Sequence, residues 1–147
     1  MELVQDVGQL SPREAFAALR DTADSALIDV RTQAEIAFVG GPDPQAFGRP
    51  LAWVQWIDFP GCQQNTRFVE DVRAALGPKL PGHLFFICRS GSRSLAAARL
   101  VAERTSGEGR PVKCVNVAEG FEGVLDGEGH RGTVNGWKVA GLPWRQS

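Results

Sequence analysis

The stretch HLFFICRSGSR, residues 83–93, decides the fold of this chain. Residues 84–87 form an uninterrupted apolar run, which is typical of a strand that is buried on both faces of a parallel sheet. Cys88 follows at the predicted carboxyl end of this strand, and an Ala- and Leu-rich stretch at residues 92–104 predicts a helix soon after it. Ligands bind beyond the carboxyl ends of the strands in open α/β sheets, so the sequence predicts a site at Cys88.

The loop that joins this strand to this helix is predicted to bind an anion. Backbone N–H groups at a helix N-terminus point into one concavity, and the positive end of the helix dipole lies behind them. The same positive field and the flanking arginines favour the thiolate of Cys88, which is the nucleophilic form of a cysteine. We therefore interpret Cys88 as a nucleophile inside an anion cradle. The predicted substrate-binding residues of this cradle are Arg89, Ser90, Gly91, Ser92 and Arg93.

The remainder of the chain alternates helices with strands, which is the pattern of a parallel sheet covered on both faces. Ser11 is a predicted N-cap, and Glu14 completes a capping box with it. Helices are expected at residues 11–22, 32–39, 66–76, 92–104 and 134–139. Strands are expected at residues 26–30, 51–57, 84–87 and 112–117, with an irregular stretch at residues 40–50.

The composition indicates one globular domain that spans residues 1–147. The net charge of −1 gives no electrostatic reason to expect nucleic acid or an anionic membrane as a partner. No apolar run approaches the roughly 20 residues that a membrane-spanning helix needs. The first residues show no export signal, which favours a cytoplasmic location.

The three cysteines, Cys62, Cys88 and Cys114, are expected to be free thiols, because a reducing cytoplasm disfavours disulfides. Their spacing matches no zinc pattern, so no metal site is expected. Cys62 and Cys114 are expected to be buried and to pack as small apolar residues, which is common for free cysteines. A second interpretation of Cys62 stays open, since Gly61 precedes it in a predicted loop and an exposed thiol there would act as a resolving thiol.

The length of the loop bears on the kind of anion that it holds. Four residues lie between Cys88 and Arg93, whereas the corresponding loop of phosphotyrosine-type phosphatases is one residue longer. A shorter loop makes a tighter ring of N–H donors, which suits a single terminal sulfur better than a tetrahedral phosphate. A Cys-based phosphatase or arsenate reductase stays an alternative, and a non-catalytic binding or regulatory module is another.

Four segments, in this order along the chain, resemble motifs of the rhodanese family and cover nearly its whole length. The segments are LIDVR at residues 27–31 with Glu35 beyond it, the strand and loop at residues 85–94, NVAEGFEG at residues 116–123 and GWKVAGLP at residues 136–143. One such motif alone would be weak, but four in the same order are specific. The chain therefore resembles a single-domain rhodanese-like sulfurtransferase.

The resemblance implies an α/β fold with a central five-stranded, mainly parallel sheet and helices on both faces. It also implies a sulfurtransferase in which Cys88 takes a sulfane sulfur from a small anionic donor such as thiosulfate and holds it as a persulfide. The implied acceptor is cyanide, a thiol or a sulfur-carrier protein, and no cofactor is implied. Ser90 stands where thiosulfate-using members carry a lysine, while Arg89 keeps the mouth of the site cationic.

Three further residues are predicted to support the site. Asp29 and Arg31 follow the strand at residues 26–30, so both are expected at the rim on which Cys88 lies. We favour a structural ion pair or a capping network for Asp29 and Glu35. Arg31 is predicted to be an additional cation that guides anions to the site.

Overall fold

A computed structural model describes residues 7–58 and 61–146 of the chain. The helices are α1 (Pro12–Asp21), α2 (Gln33–Val39), α3 (Pro44–Phe47), α4 (Phe68–Leu76) and α5 (Ser92–Gly107). The strands are β1 (Gly8–Leu10), β2 (Ser25–Asp29), β3 (Gly41–Pro42), β4 (Leu51–Trp53), β5 (His83–Ile87), β6 (Lys113–Val117) and β7 (Trp144–Arg145). No helix within these described ranges is both long and apolar enough to span a membrane.

Five strands form one sheet in the order β1-β6-β5-β2-β4, so β5 lies at its centre. Every neighbouring pair in this sheet is parallel, and the carboxyl ends of all five strands therefore meet at one edge. β3 and β7 form a separate antiparallel pair. The predicted α/β fold class is confirmed, although the sequence pattern does not predict β1, which adds the fifth strand.

The central strand β5 is buried on both faces. Leu84 and Phe86 lie in a core with α4 and α5, whereas Phe85 and Ile87 lie in a second core with α1 on the other face of the sheet. These four side chains are at most 2% exposed. Burial on two faces leaves no position for a polar side chain, which explains the uninterrupted apolar run.

Two capping boxes determine where α1 and α2 begin. Ser11 and Glu14 exchange hydrogen bonds between side chain and backbone at the start of α1, as the sequence predicts. Thr32 and Glu35 form the same arrangement at the start of α2. The carboxylate of Glu35 is thereby held at the N-terminus of α2.

Three expectations about secondary structure are wrong. The strand expected at residues 51–57 is β4, which covers only the start of that stretch. Residues 40–50, expected to be irregular, contain β3 and α3. Turns and bends replace the helix expected at residues 134–139. There Gly136 adopts φ +107°, which lies outside the α-helical region. Its backbone also packs closely on Gly123, since a Cβ atom on Gly136 would lie 2.8 Å from the Gly123 nitrogen.

Replacement of Phe86 by Ala tests the importance of the burial of β5. The side chain is fully buried, and the resulting cavity should lower the free energy of unfolding by about 3–5 kcal/mol. Phe38→Ala is the matched control because Phe38 is 82% exposed. Its effect should stay within about 0.5 kcal/mol. Urea unfolding followed by tryptophan fluorescence measures both variants, and equal losses would contradict the packing of β5.

Candidate active site

Cys88 lies directly after β5 and is buried, with 1% of its surface exposed. Two groups donate hydrogen bonds to its Sγ atom, the Gly91 N–H at 3.0 Å and the Ser94 hydroxyl at 3.1 Å. Both donors lie at the beginning of α5. The positive end of the α5 dipole is directed at the sulfur together with these two donors. The predicted cradle therefore surrounds the sulfur of Cys88.

A separate segment binds the first carbonyl groups of the loop. The Phe121 N–H donates to the carbonyl of Cys88 at 2.8 Å. The N–H groups of Glu122 and Gly123 both donate to the carbonyl of Arg89, at 2.9 and 3.1 Å. With these carbonyl oxygens bound outside the cradle, the Gly91 N–H is the backbone group of the loop that donates to the sulfur.

Two glycines allow this close approach. Gly120 has φ +68°, and a Cβ atom there would lie 2.6 Å from the carbonyl oxygens of Cys88 and Arg89. Gly91, the N-cap of α5, has φ +110°, and its added Cβ would lie 3.3 Å from the nitrogen of Glu119. Both positions require the left-handed backbone that glycine adopts without steric cost.

A buried polar network anchors the loop to the sheet. Asn116, in β6, donates from Nδ2 to the carbonyl of Gly91 at 3.1 Å and to Oε1 of Gln9 at 2.9 Å. Its Oδ1 accepts from the Ser94 hydroxyl at 2.6 Å. That hydroxyl has one proton, so it donates either to Asn116 or to Cys88. A thiol at Cys88 can donate a hydrogen bond to the Ser94 oxygen, which leaves the Ser94 proton for Asn116. A thiolate at Cys88 instead accepts a hydrogen bond from the Ser94 hydroxyl.

Sequence reasoning missed Ser94, Asn116 and Gly120 as residues of the site. Asn116 and Gly120 lie within the segment at residues 116–123. The resemblance of that segment to a rhodanese motif was the signal that could have identified them. The signal for Ser94 is a serine on the buried face of an apolar helix, since buried hydroxyls need hydrogen-bond partners.

The guanidinium of Arg93 is paired with Glu35. Nη1 and Nη2 of Arg93 donate to the two carboxylate oxygens, each at 2.8 Å. Burial alone raises the pKa of Glu35, but the hydrogen bonds from Arg93 and Thr32 outweigh burial and lower that pKa to about 2. Glu35 is thus ionised at neutral pH and accepts one hydrogen bond from each terminal nitrogen of Arg93, so the guanidinium keeps three of its five N–H donors. Arg93 holds the loop against α2, and its role in binding a substrate stays a prediction.

Arg31 does not lie at the rim, which corrects the expectation that it guides anions. Its side chain is fully buried, and Nε and Nη2 donate to the carboxylate of Asp29 at 2.9 and 2.6 Å. Its guanidinium carbon lies 4.4 Å from the centroid of the Phe121 ring. The neighbouring carboxylate balances the charge, so the pair can be buried together. Asp29 is therefore the structural partner of Arg31.

A cavity of about 330 Å³ opens beside the loop. Arg89 and Arg93 line one part of it, and Glu35, Asp58 and Cys62 line others. Arg89 is exposed, and no carboxylate in the described part of the chain forms an ion pair with it. Arg89 is therefore the cation that the mouth of the site offers to an anion.

Ser90 and Ser92 do not donate to the sulfur of Cys88. Ser90 is half-buried, Ser92 is exposed at the start of α5, and the donors that the described residues offer to the sulfur are Gly91 and Ser94. The role of both serines in binding a substrate stays a prediction.

The other two cysteines occupy contrasting environments. Cys114, in β6, is buried, and burial raises the pKa of its thiol to about 12, so the thiol stays protonated and unreactive at neutral pH. Cys62 is exposed on the loop between β4 and α4, so the expectation that it is a buried apolar residue is wrong. Its neighbours Gly61 and Gln63 are exposed as well.

Replacement of Gly120 by Ala tests the contact between its segment and the loop. Gly48→Ala is the matched control, because Gly48 has the same φ of +68° but no atom within 4 Å of the added Cβ. A left-handed alanine costs about 1–2 kcal/mol in both variants. The clash should cost Gly120→Ala about 1–3 kcal/mol more. Urea unfolding measures the difference, and equal losses would show that the contact is not tight.

The ion pair of Glu35 predicts an acid-dependent loss of stability. Because its pKa is lowered from 4.5 to about 2, the carboxylate stabilises the folded state fully above pH 4.5 and progressively less as the pH falls toward 2. The contribution is on the order of 3 kcal/mol. The difference in unfolding free energy between wild type and Glu35→Gln should therefore narrow from about pH 5 to about pH 3. A difference that stays constant over this range would contradict the pairing.

Comparison with solved structures identifies proteins of the same fold. The crystal structure of Rv0390 from M. tuberculosis is 39% identical, with a TM-score of 0.79, over 96% of this chain and 98% of that chain. The polysulfide-sulfur transferase homodimer of Wolinella succinogenes is 21% identical, with a TM-score of 0.61, over 98% and 82% of the two chains. RPA3614 of Rhodopseudomonas palustris, described as a possible tyrosine phosphatase, is 19% identical, with a TM-score of 0.50, over 95% and 85%. At these identities the last two comparisons show the shared rhodanese-like fold alone.

Comparison with protein sequences finds full-length relatives. The uncharacterized protein RP600 of Rickettsia prowazekii is 30% identical over 139 residues, which are 95% of this chain and 98% of that protein. RC0915 of Rickettsia conorii is 28% identical over the same length. A scan against models of protein families finds no match. On its identity and coverage with RP600 and Rv0390, this chain belongs to the protein family that contains them.

Proposed function

We propose that this protein is a rhodanese-type sulfurtransferase. Cys88 takes a sulfane sulfur from a small anionic donor, holds it as a persulfide and passes it to cyanide, a thiol or a sulfur-carrier protein. The observation that carries the proposal is the pair of donor groups, the Gly91 N–H and the Ser94 hydroxyl, that lie 3.0 and 3.1 Å from the sulfur inside the short loop at the N-terminus of α5.

The reaction consists of two displacements at sulfur. With thiosulfate as donor, the Cys88 thiolate attacks the outer sulfur, the S–S bond of the donor breaks, and sulfite leaves with the bonding electron pair. The acceptor then attacks the outer sulfur of the persulfide, and the electron pair of the broken bond returns to Cys88. Atoms and electrons balance over both steps without a cofactor or a metal ion.

The loop stabilises the charge that these steps place on sulfur. A persulfide adds one sulfur atom at the thiol, within the field of the N–H groups and of the α5 dipole. These donors are held in place by the segment that contains Gly120 and by Asn116, so they need no reorganisation during the reaction. A preorganised set of donors favours the anionic states of Cys88 and of its persulfide.

The length of the loop supports sulfur transfer over phosphate chemistry. Four residues lie between Cys88 and Arg93, one fewer than in the loop of phosphotyrosine-type phosphatases. The two terminal nitrogens of Arg93 each donate to Glu35 at 2.8 Å, and the Nε–H and one further N–H on each terminal nitrogen are left for a substrate. The smaller ring of donors suits a single terminal sulfur better than a tetrahedral anion.

The mouth of the site supports a small donor with one anionic end. The cavity measures about 330 Å³, and both Arg89 and Asp58 line it. Arg89 forms no ion pair with a carboxylate of the described residues. A polysulfide is a donor of this class, and the Wolinella succinogenes protein of the same fold is a polysulfide-sulfur transferase. We therefore include polysulfide beside thiosulfate among the proposed donors.

The proposed setting follows from the chemistry of the thiol. A persulfide cycle needs Cys88 to be reduced at the start of each turnover, which a cytoplasmic location provides. The net charge of −1 supports no role for nucleic acid or a membrane surface. The proposed partners are thus the donor and the acceptor of sulfur.

Incubation with thiosulfate or polysulfide followed by intact mass measurement tests the proposal. The wild type should gain one sulfur atom, and cyanide should then release thiocyanate. Cys88→Ser should gain none and release thiocyanate at least about 100-fold more slowly, because a serine hydroxyl is a far weaker nucleophile. Cys114→Ala is the matched control and should load sulfur as the wild type does, since Cys114 pairs with Leu84, four residues before Cys88 along β5.

Two outcomes would overturn the proposal. Hydrolysis of an aryl phosphate by the wild type, lost in Cys88→Ser, with no gain of sulfur from either donor would show a phosphatase. A folded wild type that neither gains sulfur nor hydrolyses the phosphate would show a binding module.

A further inference from the structure

Helix α2 forms part of the mouth of the site without a buried side chain of its own. Thr32, Ala34 and Glu35, at its start, line the cavity of about 330 Å³. Glu35 also holds Arg93 through its two carboxylate oxygens. None of the seven residues of α2, all of which the structure describes, is buried. Because packing of an apolar face stabilises most helices in proteins, this helix depends more than others on the bonds at its ends.

Lys138 binds the C-terminal end of α2. Its Nζ atom donates to the carbonyl of Val39, the last residue of the helix, at 3.0 Å. The last carbonyl groups of a helix have no partner within the helix, so a donor from another segment satisfies this one. Gln146 donates to the carbonyl of Phe38 at 3.3 Å, but Gln146 is exposed, whereas Lys138 is half-buried. Of these two attachments, the one from Lys138 is therefore the better shielded from water.

The same lysine is attached to the segment that binds the loop of Cys88. Its backbone N–H donates to the carbonyl of Phe121 at 3.2 Å, and the Phe121 N–H in turn donates to the carbonyl of Cys88 at 2.8 Å. Its Nζ atom lies 5.6 Å from the centroid of the Phe121 ring and 4.0 Å from that of the Trp144 ring. Cations are attracted to the faces of aromatic rings at such distances. Lys138 thus joins α2 to the segment that binds the loop.

Trp144 keeps this lysine at the end of α2. It belongs to β7, which pairs with β3 directly after the helix. Gly40 is the C-cap of α2, and a Cβ atom on it would lie 2.8 Å from the Trp144 ring. The ring is therefore in close contact with the backbone at the end of the helix, and the ammonium of Lys138 is held over it.

We propose that Lys138 is a positioning residue of the active site. It holds the C-terminal end of α2 on the segment of Phe121, while the pair of Glu35 and Arg93 holds the other end on the loop. The two attachments fix α2 as one wall of the mouth and keep Arg93 at the end of the loop. Lys138 acts through this pair and takes no part in the bond changes at sulfur. Its effect on the reaction rests on the proposed sulfurtransferase activity, whereas its effect on α2 does not.

Hydrogen exchange measured by mass spectrometry tests the attachment without an assay of activity. Lys138→Met keeps the apolar stem of the side chain and removes its N–H donors. Peptides that contain α2 should exchange about tenfold faster in this variant, whereas peptides of α4 should exchange at the wild-type rate. Lys79→Met is the matched control, because Lys79 is exposed on the loop between α4 and β5, and it should leave α2 unchanged. Unchanged exchange of α2 in Lys138→Met, or an equal increase in α2 and α4, would overturn the proposal.

Turnover with thiosulfate and cyanide tests whether Lys138 acts through Glu35. Lys138→Met should lower kcat/KM for thiosulfate about tenfold, because small displacements within a site cost large factors in rate. In Glu35→Gln, where the pairing with Arg93 is already weakened, the same replacement should cost less than about twofold. Lys138→Arg keeps a cation with N–H donors and should stay within about threefold of the wild type.

The outcomes separate this inference from the proposed activity. Full activity of Lys138→Met would overturn the positioning role, and so would a Lys138→Arg variant as slow as Lys138→Met. An equal loss in the wild-type and Glu35→Gln backgrounds would overturn the action through Glu35. A wild type that turns over no thiosulfate would overturn the sulfurtransferase proposal, and the exchange of α2 would then decide whether Lys138 holds the helix.

Discussion

The site depends on one close contact between two backbone segments. The segment that begins at Gly120 binds the carbonyl groups of Cys88 and Arg89, and it can do so because Gly120 has no side chain. With those oxygens occupied, the N–H of Gly91 in the same loop donates to the sulfur. Asn116 adds a second attachment from β6 to the carbonyl of Gly91. The conformation of the loop is thus imposed from outside, by parts of the chain that contribute no reactive atom.

Ion pairing leaves few free cations around the site. Two of the three arginines near it are neutralised, Arg31 by Asp29 in the interior and Arg93 by Glu35 at the end of the loop. Arg89 alone stays exposed at the mouth. Fixed dipoles act over a short range on the atom held within the loop, whereas unpaired guanidinium groups attract any anion with several oxygens. The proposed sulfur chemistry places charge on one atom, which is the atom that the donors of Gly91 and Ser94 approach.

Local patterns in the sequence predicted the parts of the structure that local interactions determine. The apolar run of β5, the capping box of α1 and the loop after Cys88 are all contained within a few consecutive residues. β1 has three residues, and only its pairing with β6 identifies it. The burial of Arg31 likewise depends on its packing against Phe121, which is 90 positions away in the sequence. The sequence therefore predicted the loop between β5 and α5 and the position of Cys88 at its start, but not the contacts that decide which charged groups are accessible.

The three cysteines show how position determines the chemistry of one side chain. Cys88 and Cys114 lie in the same core and are both almost fully buried. Cys114 has only the carbonyl of Val112 as a hydrogen-bond partner among the described residues, and burial then keeps its thiol protonated. Cys88 instead receives the N–H of Gly91 and the hydroxyl of Ser94 at a helix N-terminus. Both positions are buried, so the donors around the sulfur are what distinguish the environment of Cys88 from that of Cys114.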